Sequence, residues 1–147
     1  TIGGIETYFL NLATNADAMR VAALENATST HSISELEDIL SDLMKNSKID
    51  ESSRLARFVQ TKLVNGMDKP YKARDLGVKQ APFYVLIGAE MPAVLAEISF
   101  ITNPEEARLL QDERYLNRVA EHLAAGIVAY VEHNQTAALN GLRTTAQ

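Results

Sequence analysis

The stretch from Met91 to Leu110, MPAVLAEISFITNPEEARLL, reads as a strand that runs through a short turn into a helix. Pro92 opens it, and Ala93 to Phe100 is an apolar run of small, branched and aromatic residues. Asn103-Pro104-Glu105-Glu106 then starts a helix well: an Asn able to cap, a Pro at the first helical position and acids in the first turn. One residue sits oddly in the apolar run, and it is Glu97. An ionised carboxylate in low-dielectric surroundings is costly unless a cation or hydrogen-bond donors meet it. Either the strand has an exposed or ion-paired face that carries Glu97, or the carboxyl has a task.

Working outward, Phe83–Gly88 (FYVLIG) is a short continuous apolar run with the look of a strand buried on both faces. Residues 66–81 read as a loop, punctuated by Gly66, Pro70 and Gly77 and made locally basic by Lys69, Lys72, Arg74 and Lys79. Before them a helix is expected from near Asp50 to Gly66, with Leu55, Phe58, Val59 and Leu63 on its apolar side. Ser32 followed by Glu35 has the form of a capping box, and Ile33, Leu36, Ile39, Leu40, Leu43 and Met44 then recur as one helical stripe. Ile5–Leu12 is a strand entered from Gly3-Gly4. Thr14 or Asn15 can cap a helix to about Ala27, with Ala16, Met19, Ala23 and Leu24 apolar. After the stretch, a last helix spans about Asp112 to His133 on Leu116, Val119, Leu123, Ile127, Val128 and Val131; residues 134–147 read as a flexible tail. Strands alternate with helices, so the class is α/β. Phe83–Gly88, Ala93–Phe100 and Ile5–Leu10 are expected in one mixed, twisted sheet with helices on both faces.

The totals narrow the function. With 147 residues, 46% of them hydrophobic, the chain is sized for one domain with a real core. Its 14 basic against 19 acidic residues, with no basic block, argue against nucleic acid as a partner. No run of 18 apolar residues suggests a membrane span, and no signal-peptide pattern opens the chain. Cys is absent, which removes thiolate metal sites, catalytic thiols and disulfides. The chain starts Thr-Ile-Gly-Gly without Met and reads as a piece of something longer.

The segment VKQAPFYVLIGAEMPAVLAEISFITNPEEARLL resembles the catalytic domain of zinc-dependent N-acetylmuramoyl-L-alanine amidases of the type 3 family. GGIETYFLNLA, ALENAT and DILSDLMKNSKIDESSRLARFVQTKL are similar to further segments in the same order, so that the likeness covers about residues 3–131. It implies a zinc-exopeptidase-like mixed sheet and a peptidoglycan hydrolase that cleaves the amide between N-acetylmuramic acid and the L-alanine of the stem peptide. It also implies a periplasmic or extracellular location, with an activator protein of cell division as a partner in some members. The family's zinc is held by a His in a Gly-His-Gly-Gly-type turn, a Glu, and a His in a Ser-Ile-His-type strand end. All three motifs precede the part matched here. The resemblance therefore implies residues 1–133 as the C-terminal portion of the catalytic domain, its first strands and zinc ligands upstream of Thr1, and a piece inactive by itself. The alternative is a non-catalytic, truncated or cell-wall-binding relative. One functional position carries over, Glu97 in LAEISF, as the group that manages protons beside the metal; Ser99 stands on its face of the strand where most relatives have Gly.

Other candidates have simpler readings. His122 and His133 are eleven residues apart, too far for a metal pair one helical turn apart, and read as surface residues. His31 reads as a turn residue before a capped helix, with the mouth of a cleft as its alternative. Lys72, Arg74 and Lys79 are read as solvated loop cations, though they could meet anionic carboxylates of a muropeptide. Glu105 and Glu106 suit a first helical turn, and Glu6 reads as a rim or solvent residue. In some Gram-negative relatives an inserted helix plugs the zinc; Thr28–His31 leaves little room for one here.

Overall fold

The computed structural model describes residues 2–13, 15–28, 32, 34, 35, 38 and 48–144. Its centre is strand β1 (Ile5–Leu10), whose six residues are almost wholly buried. Strand β2 (Asp75–Ala81) pairs with it in parallel and strand β3 (Val94–Glu97) pairs antiparallel on the other side, so the sheet order is β2-β1-β3. The sheet is mixed, as expected. Its parallel partner is not: Phe83–Gly88 does not form a strand, and part of the supposed loop 66–81 does.

The reason lies at Pro82 and Gly77. After Pro82 the apolar run turns through a 3₁₀ segment, Tyr84–Leu86, and packs Phe83 and Leu86 into a core without joining the sheet. Asn26 holds this turn: its Nδ2 donates to the carbonyl of Pro82 at 2.7 Å and its Oδ1 accepts from the amide of Tyr84 at 2.8 Å. In β2 the register slips, with Ile5 opposite Asp75 but Glu6 opposite Gly77. Gly77 has φ +82°, a bulge conformation open to Gly, and its N–H donates to Asp75 Oδ1 at 2.9 Å.

Helices cover both faces. Helix α1 (Ala16–Glu25), capped by Asn15, lays Ala18 and Ala22 on Tyr8 and Ala81. The small residues are the buried ones; Leu24, expected on the apolar side, is 66% exposed. On the opposite face lies α2 (Lys48–Gly66), with Leu55, Val59 and Leu63 against Ile5. The Gln60 side chain of α2 accepts from Thr7 Oγ1 at 2.8 Å and donates to the Ile5 carbonyl at 2.8 Å and to Asp75 Oδ1 at 2.6 Å, stitching helix to two strands. Helix α3 (Pro104–Leu109) is capped by Asn103 as its sequence indicated.

The last helix, α4 (Glu113–Thr144), continues eleven residues past His133, so residues 134–144 are helical where the sequence suggested a tail. It buries Tyr115, Val119 and Tyr130 beside α2, while Ile127, Val128 and Val131 are about half exposed. At Gly126 the two helices cross so closely that a Cβ would stand 2.7 Å from the Val59 Cα. The capping box forms, with Ser32 N and Oγ donating to Glu35 Oε2 at 2.6 and 2.8 Å. Ile33, Leu36, Ile39, Leu40, Leu43 and Met44 of the stripe, and His31, lie outside the described residues.

Candidate functional site

Side chains alternate across a strand. In β3, Val94 and Ala96 therefore join the core under α2, while Leu95 and Glu97 point to the α1 side. In β1, Ile5 and Thr7 face α2, and Glu6 and Tyr8 face the α1 side. Gly77's bulge completes the pattern. A one-residue slip reverses every side chain that follows it, and here it brings Lys79 opposite Tyr8 on the α1 side. Without the slip, Lys79 would point into the α2 core.

A cleft of about 940 Å³ opens on that side. Glu6, Tyr8, Lys79 and Glu97 form its sheet wall; Asp17, Arg20, Val21, Leu24 and Glu25 line it from α1. Arg74, Leu76 and Ser99 to Thr102 complete its rim. Glu97 thus lies in a cleft, at the end of its strand. Burial, then the negative charges of Glu25 and Glu6, push its carboxyl above the ordinary range. A carboxyl so placed holds a proton further toward neutrality than one in water, which suits proton transfer.

Glu6 is 2% exposed, not a rim residue. It forms an ion pair with Lys79 and accepts a 2.7 Å hydrogen bond from the Tyr8 hydroxyl. Burial and that bond to Glu6 keep the Tyr8 phenol protonated well past its usual range. Lys79 is no solvated loop cation: it lies on β2, and its ammonium stands 5.9 Å from the Tyr8 ring centre. Lys72 is exposed outside the cleft, whereas Arg74 is exposed on its rim. The sequence signal that could have placed Lys79 is the Asp-Leu-Gly-Val bulge, which decides the face it takes.

Ser99 lines the cleft with Glu97, its hydroxyl 2.7 Å from that of Tyr115, which in turn donates to the Ile98 carbonyl at 2.8 Å. Glu106 does more than face a helix N-terminus. Its two oxygens accept from the amides of Gly4 at 2.6 Å and Phe100 at 2.7 Å, tying the entry of β1 to the exit of β3. Glu105 is exposed.

Among the described residues no three His, Cys, Asp or Glu side chains come together as a metal group. Glu6 is already engaged, and His122 and His133 sit on α4 against Gly66 and Phe58, on the far side of the sheet from Glu97. The described residues do not fit the zinc that the resemblance implies.

A mixed sheet with a helix layer on each face and a partly desolvated acid in a cleft define an α/β domain with a candidate acid–base site. The chain belongs to the N-acetylmuramoyl-L-alanine amidase family, Amidase_3, which matches residues 1–129. It is similar to the N-acetylmuramoyl-L-alanine amidase AmiA of Escherichia coli, 36% identical over 96 residues, which are 65% of this chain and 32% of that protein. It is also similar to the amidase LytC of Bacillus subtilis, 40% identical over 79 residues, 54% of this chain and 15% of that one. The crystal structure of an N-acetylmuramoyl-L-alanine amidase from Clostridium difficile superposes with a TM-score of 0.59 at 27% identity, over 90% of this chain and 50% of that structure. The chain thus spans about a third or less of these curated relatives and half of the solved structure.

Proposed function

We propose that this chain is part of a peptidoglycan amidase that hydrolyses the bond between N-acetylmuramic acid and L-alanine of the stem peptide, and that Glu97 is its proton-transferring group. The observation that carries the reading is the position of Glu97, partly desolvated at the end of a strand and open to a cleft of about 940 Å³. Amide hydrolysis needs a base for the attacking water and an acid for the leaving amine. One carboxyl can serve both in turn: as carboxylate it takes the water's proton, and as carboxylic acid it gives that proton to the departing nitrogen of L-alanine. Arg20 and Arg74 on the cleft rim offer positive charge to the anionic stem peptide.

Zinc dependence enters this reading through the resemblance alone, since the described residues hold no ligand set for it. A periplasmic or extracellular site of action follows from the substrate, and an activator protein of cell division stands on the same footing as zinc. No helix among the described residues is long and apolar enough to cross a membrane.

The test is product analysis. Purified muropeptides and sacculi are incubated with the intact amidase domain that contains this chain and with its Glu97→Gln variant, with and without added zinc, and the products are separated by mass spectrometry. Release of a stem peptide with a free L-alanine amino group, lowered about 10²–10⁴-fold in Glu97→Gln, supports the reading. Equal release by both proteins overturns the role of Glu97. Retention on sacculi with no release under any condition overturns the activity and leaves a cell-wall-binding module.

A further inference from the structure

Two acids face each other between the middle strand and β3 of this sheet. Glu6 of β1 and Glu97 of β3 are direct cross-strand partners. Like charges directly opposite in an antiparallel pair are destabilising, and nothing in the packing of a three-stranded sheet requires them. The third strand supplies the counter-charge, but to one acid alone: Lys79 pairs with Glu6, and the Tyr8 hydroxyl caps the same carboxylate. No hydrogen bond or ion pair of the described residues ties down Glu97 in the same way. Glu6 is therefore buried and ion-paired, while its neighbour stays open to the cleft.

We propose that Lys79, Glu6 and Tyr8 form a fixed-charge array whose task is to set the proton affinity of Glu97, with Glu6 as the positioning residue and Lys79 as its balance. Glu6 opposes the ionisation of Glu97 across the strand pair; Lys79 limits that opposition and keeps the carboxyl within the range where it can both take and give a proton. The other charges facing Glu97 come from α1, namely Asp17, Arg20 and Glu25, and from Arg74 ahead of β2. Glu25 adds to the field on Glu97, but it lies at an exposed helix end where solvent screens it. Glu6 has no such outlet. The bulge at Gly77 belongs to the device, because it delivers Lys79 to this face. The catalytic purpose of the array rests on the function proposed above; its electrostatics do not.

The experiment reads the array without turnover. The side-chain carboxyl carbon of Glu97 is followed by NMR through a pH titration of the full chain. The series comprises the wild type, Glu6→Gln, Lys79→Met, the Glu6→Gln/Lys79→Met double variant and Glu25→Gln, with amide spectra confirming the fold of each. Glu6→Gln preserves shape and the acceptor for Tyr8, and moves the Glu97 midpoint down by roughly 0.5–1 unit, a three- to tenfold loss of proton affinity. Lys79→Met moves it up by a similar amount, the double variant returns it toward the wild type, and Glu25→Gln shifts it less than Glu6→Gln does. A midpoint unmoved in folded Glu6→Gln, or shifts of the same sign in both single variants, overturns the proposal. A Glu97→Gln enzyme with full turnover would overturn the proposed function while leaving these shifts standing, so the two failures are distinct.

Discussion

At the scale of single residues, Glu97 stores a cost that solution measurements can read. Its folded carboxyl binds a proton more tightly than an ordinary glutamate, first because of burial and then because of Glu25 and Glu6. Below the unfolded midpoint both states are protonated and the residue is neutral to folding. As pH rises toward and through the raised folded midpoint, the unfolded chain has already released its proton while the folded one still holds it, so stability falls. Glu97→Gln is therefore expected to raise the melting temperature at pH 8 and to leave it unchanged near pH 3; thermal melts at both pH values check this, and a gain present at pH 3 would point to packing instead. Glu106 has the opposite character. Its carboxylate closes two backbone amides, so Glu106→Ala is expected to cost about 1.5–3 kcal/mol by chemical denaturation, against about 0.3–1 kcal/mol for Glu105→Ala, which removes a first-turn acid. Glu97 was legible in the sequence because an acid interrupts an apolar run. Glu6 was not. Its ion-pair partner and its cross-strand neighbour lie 73 and 91 positions away, and no local pattern reports them.

At the scale of elements, the legible parts are those whose signals are local. Asn103-Pro104 starts α3, Ser32 and Glu35 form their reciprocal cap, and the apolar side of α2 is the one its spacing indicated. The failures are cases where tertiary pairing overrode composition. Asp75–Ala81 carries charge, amide and Gly and has little strand propensity, yet β1 presents a buried parallel edge that it completes. Phe83–Gly88 has the composition of a strand, yet Pro82 and Asn26 turn it away from the sheet. Gly77 is where that distinction is decided. At φ +82° a branched residue is strained, so Gly77→Val is expected to lose about 1–3 kcal/mol. Repair by removing the bulge would turn Lys79 away from Glu6. The expected result in folded Gly77→Val is thus a Glu97 midpoint displaced upward, as in Lys79→Met, and NMR titration beside a denaturation curve separates the two effects.

At the scale of the whole molecule, the sheet among the described residues has three strands with β2 and β3 as its edges, while the matched relatives are two to several times longer than the part aligned here. That the chain is an α/β layer structure with helices on both faces was readable from alternating element types. What was not readable is which side chains surround Glu97 on its face of the sheet. Glu97 has Glu6, Lys79 and Tyr8 on its face of the sheet, yet among the described residues no group of three His, Cys, Asp or Glu could hold a metal. Zinc needs three or four such donors within bonding distance at once. A single glutamate with a raised proton affinity is a poor donor, because binding must first displace its proton. His122 and His133 cannot help, since α4 and the Glu97 cleft lie on opposite faces of the sheet. The chain dialysed against zinc-free buffer is therefore expected to retain well under one equivalent of zinc by elemental analysis. Added zinc should then leave the melting temperature unchanged, because a ligand that does not bind the folded state preferentially cannot stabilise it. One equivalent held through dialysis, with a melting temperature that rises with zinc concentration, would overturn this and direct the search for ligands to His31 and the other residues outside the described set.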